Sequence, residues 1–133
     1  IYGFYNEEVS LAKQVYAGAD IFLMPSRSEP CGLAQMIACR YGTVPVVRET
    51  GGLYDTIKPY FEKTTKTGRT SIYGNGFTFQ TYNAHDMLDA IDRTLSVYRV
   101  PEKWDKLVKR VMKADFSWNT SAEEYVKTYS NML

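Results

Sequence analysis

Apolar positions recur at helical spacing in some segments of this chain and run on without interruption in others, and that contrast sketches its elements. From Asn6 to Gly18, the residues Val9, Leu11, Ala12, Val15 and Tyr16 approximate a helical stripe, with Asn6 as N-cap and Gly18 as stop. Ile21-Phe22-Leu23-Met24 is apolar throughout, as a strand covered on both faces would be. Gly32 to Tyr41 returns to the helical pattern through Leu33, Met36, Ile37 and Arg40, and Gly42 ends it. Val44-Pro45-Val46-Val47 reads as a second short buried strand, with its proline arguing for an edge position. Gly51-Gly52-Leu53 is a turn, and Tyr54 to Ile57 a short helix or strand. Lys58 to Asn75 is polar, with glycines at 68 and 74, and reads as a loop, long enough that a functional or mobile role is expected of it. Gly76-Phe77-Thr78-Phe79-Gln80 alternates and predicts a third strand.

The remainder is helical. Asn83 or His85 opens a helix to Tyr98 that carries Met87, Leu88, Ile91 and Leu95 at helical spacing. Pro101, at a first-turn position, opens Glu102 to Ala114. Ser117 or Asn119 caps a last helix on which Ala122, Tyr125, Val126, Tyr129 and Met132 share a face. Helix–strand alternation followed by helices predicts an α/β fold with a parallel sheet flanked by helices. The chain shows no internal repeat and no low-complexity segment.

Length and composition narrow the function classes. The 133 residues suit one domain with an adequate core. Sixteen basic residues against fifteen acidic ones leave a net charge of +1, which supplies no field favouring nucleic acid or an anionic membrane. Cys31 and Cys39 make neither a disulfide framework nor a zinc cluster, and reduced thiols are expected. No apolar run approaches the roughly 18 residues of a membrane span, and no signal-peptide pattern opens the sequence. Ile1-Tyr2-Gly3-Phe4-Tyr5 reads like a strand end already in progress, so a fragment of a longer chain is expected.

The most informative stretch is Pro25-Ser26-Arg27-Ser28-Glu29-Pro30-Cys31-Gly32-Leu33, where the first apolar run meets the second helix. A strand entering a helix through such a loop leaves free N–H groups at the helix N-terminus, and their partial positive charge can hold a phosphate. Glu29 stands at the rim of that cradle, where a carboxylate would repel phosphate but suit a hydroxyl-rich group beside it. Phosphate on one side and polyol on the other describe a nucleotide-sugar site.

The block Ala17-Gly18-Ala19-Asp20 through Glu29-Pro30-Cys31-Gly32-Leu33 closely resembles glycogen and starch synthases. The likeness continues through Arg40-Tyr41-Gly42-Thr43-Val44-Pro45-Val46-Val47-Arg48 and Thr50-Gly51-Gly52-Leu53-Tyr54-Asp55-Thr56, and more weakly through Gly76-Phe77, Tyr82-Asn83-Ala84 and Phe116-Ser117-Trp118. The resemblance implies the GT-B architecture of two Rossmann-like domains facing across a cleft. Residues 1–133 would then be part of the C-terminal, nucleotide-sugar-binding domain, a Rossmann-like parallel sheet flanked by helices, with its C-terminal helices from about 83 to 133. It implies transfer of glucose from a nucleotide diphosphate donor to the 4-hydroxyl of an α-1,4-glucan, with retention, without a metal ion or other cofactor. ADP-glucose is the expected donor, because the motif resembles the bacterial and plastid enzymes more than the UDP-glucose enzymes, and a cytoplasmic (bacterial) or plastid location follows.

Carried onto this sequence, the resemblance makes Glu29 the carboxylate that lies against the donor glucose. The second acid of the family's E-x7-E pattern falls at Ile37, so any ribose contact from it is lost. Cys31 and Gly32 match positions whose backbone lies near the sugar, and a Cβ at Gly32 would obstruct the ligand. Leu33 and Ala34 match the first helical turn beneath the distal phosphate. Phe4 or Tyr5 would stack on the base, with the backbone of Tyr2 and Gly3 reading its edge; an aromatic strand end in the core is the alternative. Gly51 and Gly52 suit a ligand-side role or a purely conformational one, and Arg27 and Arg48 are candidate phosphate or acceptor contacts. His85, the only histidine, offers no partner base for Cys31.

The family's diphosphate-neutralising arginine and lysine, and its acceptor-side histidine and Lys-x-Gly-Gly loop, match no residue here. The expectation is therefore a glucan synthase whose isolated 133 residues do not turn over, the α-1,4-glucan being held by a missing N-terminal domain. Two other readings stand beside it: a glycosyltransferase of the sucrose or trehalose type, and a nucleotide-binding module without transfer. Neither nucleic acid nor a membrane is an expected partner.

Overall fold

The computed structural model describes residues 9–132. In chain order the elements are α1 (Val9–Gly18), β1 (Ile21–Met24), α2 (Ala34–Tyr41), β2 (Val44–Arg48), α3 (Gly52–Thr56), β3 (Phe61–Thr64), β4 (Thr70–Tyr73), β5 (Phe77–Phe79), α4 (Ala84–Tyr98), α5 (Pro101–Met112) and α6 (Trp118–Ser130). β1, β2 and β5 form a parallel sheet in that spatial order, with Ile21 opposite Val44 and Val46 opposite Phe77. α2, α4 and α5 converge on the central strand. Val44, Val46 and Val47 are wholly excluded from solvent, as are Leu53, Leu107 and Val111. Each such side chain contributes about 1.5–3 kcal/mol by leaving water. The expected α/β class, with a parallel sheet flanked by helices, is the one observed.

Five expectations are corrected. Pro45 does not mark an edge, because β2 is the middle strand. The Val44 N–H donates toward β1, to the Asp20 carbonyl at 2.9 Å, so the next nitrogen along the strand faces β5. β5 begins pairing only at Val46, and Pro45 therefore costs the ladder no hydrogen bond. β1 and β5 are instead the outer strands of the described sheet, and Leu23 of β1 is 43% exposed, so that strand is not covered on both faces.

The segment 58–75 is not a loop. β3 and β4 pair antiparallel from Phe61 opposite Tyr73 to Thr64 opposite Thr70, closed by a turn in which Gly68 takes a φ of +79°. The hairpin is largely exposed, with Ile72 of β4 packed against the core, so its strands lack the full alternation that burial would impose. It is held by cross-strand pairs: the Phe61 and Tyr73 rings stack at 4.9 Å, and Lys63 lies over both.

The buried face of α2 is Gln35, Ala38 and Cys39, whereas Leu33 and Ile37 of the expected stripe are 65% and 41% exposed. A polar side chain thus occupies a core position, for a reason that becomes clear below. Finally, β5 is where alternation places it, but all three of its residues are buried, and the Thr78 hydroxyl is satisfied by the Glu49 carboxylate at 2.6 Å.

Helix ends follow their chemistry. Gly42 closes α2 in the left-handed region, at a φ of +83°. The Asn83 side chain caps α4 through the Asp86 N–H at 2.8 Å, and Pro101 opens α5. Ser117 precedes α6 as expected, yet its side chain makes no cap; Asp115 instead accepts the Ser117 N–H at 2.8 Å and the Thr120 hydroxyl at 2.7 Å. Tyr125, Val126 and Tyr129 of α6, and Met132 beyond it, are all exposed.

Candidate functional site

The loop 25–33 leaves the carboxyl end of β1 and delivers the chain to the N-terminus of α2, where open parallel sheets present their ligand crevices. Leu33 stands at the N-cap with φ −111° and ψ −28° and provides no side-chain cap. The first amide bond of the helix runs from Ile37 to the Leu33 carbonyl at 2.9 Å. Among the described residues the N–H groups of Leu33, Ala34, Gln35 and Met36 meet no acceptor. Four free donors at the positive end of a helix make an anion cradle.

Glu29 is half-buried beside it. Its backbone carbonyl accepts the Gly52 N–H at 3.0 Å, and its Cγ would lie 3.1 Å from a Cβ on Gly32. The carboxylate itself meets no donor among the described residues, so it stands unpartnered next to Gly32. Gly32 has a φ of +75°, where an L side chain is strained, and a Cβ would come within 2.7 Å of Gln35 Oε1. Glycine is required here by the backbone and by Gln35, before any ligand is considered.

Gln35 explains the polar core position on α2. Its Nε2 donates to the Gly32 carbonyl at 2.9 Å and to Thr56 Oγ1 at 3.1 Å, with a longer contact to the Cys31 carbonyl at 3.5 Å. The Thr56 hydroxyl in turn donates to the Gly52 carbonyl at 2.6 Å. One buried amide therefore ties the 25–33 loop to α3. Its Oε1 is the single buried side-chain polar atom without a partner among the described residues. Neither Gln35 nor Thr56 was singled out from the sequence; the available signal was a glutamine interrupting an otherwise apolar or small helix face.

The glycine pair completes the support. Gly51 adopts φ +46° and ψ −129°, and a Cβ on it would collide with the Glu29 carbonyl. A Cβ on Gly52 would overlap the Cys31 carbonyl. Of the two roles open to Gly51 and Gly52, this packing accounts for both residues conformationally: they form a floor on which the Glu29–Cys31 backbone rests.

Other candidates fall into place around that floor. Arg48 is engaged as a strut: Nε donates to the Gln80 carbonyl at 3.0 Å and Nη1 to the Arg27 carbonyl at 2.9 Å, with the guanidinium over the Tyr82 ring. The Arg27 side chain is exposed and meets no partner among the described residues. Cys31 is an exposed free thiol, while Cys39 is buried and burial pushes its thiol up to about 12. His85 is exposed in the first turn of α4 without a described hydrogen bond. Tyr2, Gly3, Phe4 and Tyr5 lie outside the described residues. No group of three or more His, Cys, Asp or Glu gathers as a metal set among the described residues, and no described helix is long and apolar enough to cross a membrane.

The sequence profile of the family "Glycosyl transferases group 1" matches residues 2–111. The chain belongs to that family. Among its members it is 55% identical over 123 residues to a glycogen synthase of Geobacillus thermodenitrificans, covering 92% of this chain and 24% of that protein. It is 53% identical over 133 residues to the glycogen synthase of Bacillus cytotoxicus, covering 100% of this chain and 26% of the relative. In structure this group 1 chain is similar to the catalytic domain of starch synthase IV from Arabidopsis thaliana bound to ADP and acarbose. The TM-score is 0.75 at 42% identity, covering 96% of this chain and 25% of that one. The chain thus spans about a quarter of the length of the relatives it matches.

Proposed function

We propose that the protein is a glycogen (starch) synthase that transfers glucose from ADP-glucose to the non-reducing end of an α-1,4-glucan with retention. In this reading the present residues form the donor half of its cleft. The observation that carries it is the juxtaposition of four acceptor-free amides at the head of α2 with the unpartnered carboxylate of Glu29 across Gly32. Glycogen synthase relatives at 50–55% identity and the ADP named with the plant starch synthase support it.

The amides of Leu33 and Ala34 would take the distal phosphate, and their partial positive charge grows in value as the bond to the anomeric carbon breaks and charge gathers on the leaving diphosphate. The Glu29 carboxylate would accept hexose hydroxyls and favour positive charge at the anomeric carbon. Cys31 and Gly32 would present backbone to the sugar. Phe4 or Tyr5 would stack on adenine, a contact worth about 1–3 kcal/mol, while Tyr2 and Gly3 read the base edge. The α-1,4-glucan acceptor would approach from the facing domain of the intact synthase, in the bacterial cytoplasm or a plastid. No residue here matches the family's diphosphate cations, so the 133 residues alone should bind nucleotide weakly and transfer nothing.

Calorimetric titration with ADP, UDP and their glucose conjugates, together with a glucosyl-transfer assay of the intact synthase, tests the proposal. Preference for the adenine nucleotides with glucan elongation is expected. Nucleotide binding without sugar discrimination or transfer would replace it with a binding module, and transfer to a small sugar would replace it with a sucrose- or trehalose-type enzyme.

A further inference from the structure

The segment that carries Glu29 makes few bonds of its own. Pro25 and Pro30 have no N–H to give, and no other backbone N–H of residues 25–31 meets a backbone acceptor among the described residues. The loop is therefore held by its carbonyls, and the end of β2 supplies two of the grips. Arg48 Nη1 donates to the Arg27 carbonyl at 2.9 Å, and the Gly52 N–H donates to the Glu29 carbonyl at 3.0 Å. These two bonds bracket Ser28 and the Cα of Glu29. They fix the point at which the carboxylate leaves the backbone.

Arg48 is itself anchored away from the loop. Its Nε donates to the Gln80 carbonyl at 3.0 Å, and its guanidinium lies 5.6 Å from the centre of the Tyr82 ring. Gln80 is held in turn, since its Nε2 donates to Glu49 Oε2 at 3.0 Å while the Thr78 hydroxyl donates to Glu49 Oε1 at 2.6 Å. Glu49 thus spends both oxygens on β5 and its exit. The described ion pairs are Arg93–Asp89, Lys103–Glu62 and Lys127–Glu124, so none of them engages Arg48.

An arginine that spends its donors on two carbonyls of separate segments acts as a rigid clip between them. Its planar fork sets the spacing of the two bonds, and its charge strengthens both. A lysine has the charge but not the fork.

We propose that Arg48 is a positioning residue for Glu29, holding the 27–29 backbone against β2 so that the carboxylate meets the reacting sugar in register. Its kinetic consequence rests on the glucosyl transfer proposed above. A misplacement of about 1 Å at such a group can cost about 100-fold in rate.

Steady-state kinetics of the intact protein, together with crystal structures of the variants, tests this. Arg48→Gln should lower kcat by about 10- to 100-fold while KM for the sugar nucleotide stays within about twofold. Arg48→Lys should fall about as far, because the charge alone cannot bridge both carbonyls. In a Glu29→Gln background, either substitution should cost less than about threefold more, since the clip acts through that carboxylate. The variant structures should show residues 27–29 displaced and residues 33–36 in place. Thermal melts establish that each variant is folded; should Arg48→Gln unfold, Arg48→Lys decides. A raised KM with unchanged kcat, full activity in Arg48→Lys, an undiminished loss in the Glu29→Gln background, or an unmoved 27–29 segment would overturn the proposal. If the unmutated protein transfers no glucose, the proposed function falls, and the position of residues 27–29 in the variants still decides whether Arg48 places Glu29.

Discussion

Gly52 lies directly against Cys31: its N–H is bonded to the neighbouring Glu29 carbonyl at 3.0 Å, and a Cβ on it would overlap the Cys31 carbonyl oxygen. The turn after β2 thus supports the loop after β1, and the position of the Glu29 carboxylate depends on a glycine twenty-three residues away.

Gly52→Ala should therefore be severe, costing about 3 kcal/mol or more and weakening nucleotide binding together with stability. Gly18→Ala is the contrast, since nothing lies within 4 Å of its Cβ position, and a gain of about 0.4–1 kcal/mol is expected there. Chemical denaturation of the two variants measures the difference; similar midpoints would contradict the support role.

Gln35→Leu removes the amide that joins the Gly32 carbonyl to Thr56 while preserving volume. The expected loss is about 1–3 kcal/mol, from buried polar groups left without partners. Because the unpaired Oε1 disappears as well, a value toward the lower end is expected. A more stable variant in urea melts would show that the link constrains nothing.

Much of this was legible in the sequence, and the failures share a cause. β1, α2 and β2 were recoverable as elements because apolar runs and helical spacing bounded by Gly32 and Gly42 mark their extent, although which faces of β1 and α2 are buried did not follow from them. The β3–β4 hairpin was not, because β3 is exposed throughout, only Ile72 of β4 packs against the core, and its order rests on pairs such as the Phe61–Tyr73 stack, between distant positions that no local window contains. Pro45 misled because the edge rule concerns the direction of one nitrogen and the extent of β5, which depend on register. Glu29 and the α2 amides could be read from a local motif, whereas Gln35, Thr56 and the packing of Gly51 could not, since their meaning lies in contacts across the fold.

Glu29→Gln should leave stability within about 0.5 kcal/mol, since the carboxylate holds no described partner. On the proposed function, it should lower kcat of the intact protein by about 100-fold with little change in KM for the proposed donor. Steady-state kinetics with thermal melts separates these; a large loss of stability with unchanged kcat would make Glu29 structural.

Acid should erode the periphery. Hydrogen bonds from Lys103 and from Tyr60 hold the Glu62 carboxyl below its ordinary 4.5, and those from Thr120 and the Ser117 N–H hold Asp115 below its ordinary 3.8. A folded-state value below the unfolded one means the carboxylate stabilises the fold above the ordinary value, and that this contribution is lost as pH falls through the lowered one. Stability should thus fall with pH below about 4.5, less steeply in Glu62→Gln. Melting curves between about pH 2 and 6 give the slope; identical profiles for the two proteins would contradict the linkage.

Under native conditions near pH 8, iodoacetamide should modify the exposed Cys31 alone, since Cys39 is buried with its thiol pushed up to about 12. Mass spectrometry should find one adduct, and two adducts on folded protein would contradict the burial of α2.

The most direct test of the donor cradle is the backbone amide spectrum of the protein during titration with ADP. If the head of α2 holds the diphosphate, the resonances of Leu33, Ala34, Gln35 and Met36 move first and furthest, and Gly52→Ala abolishes the movement. Saturable shifts that leave those four amides in place would contradict the account.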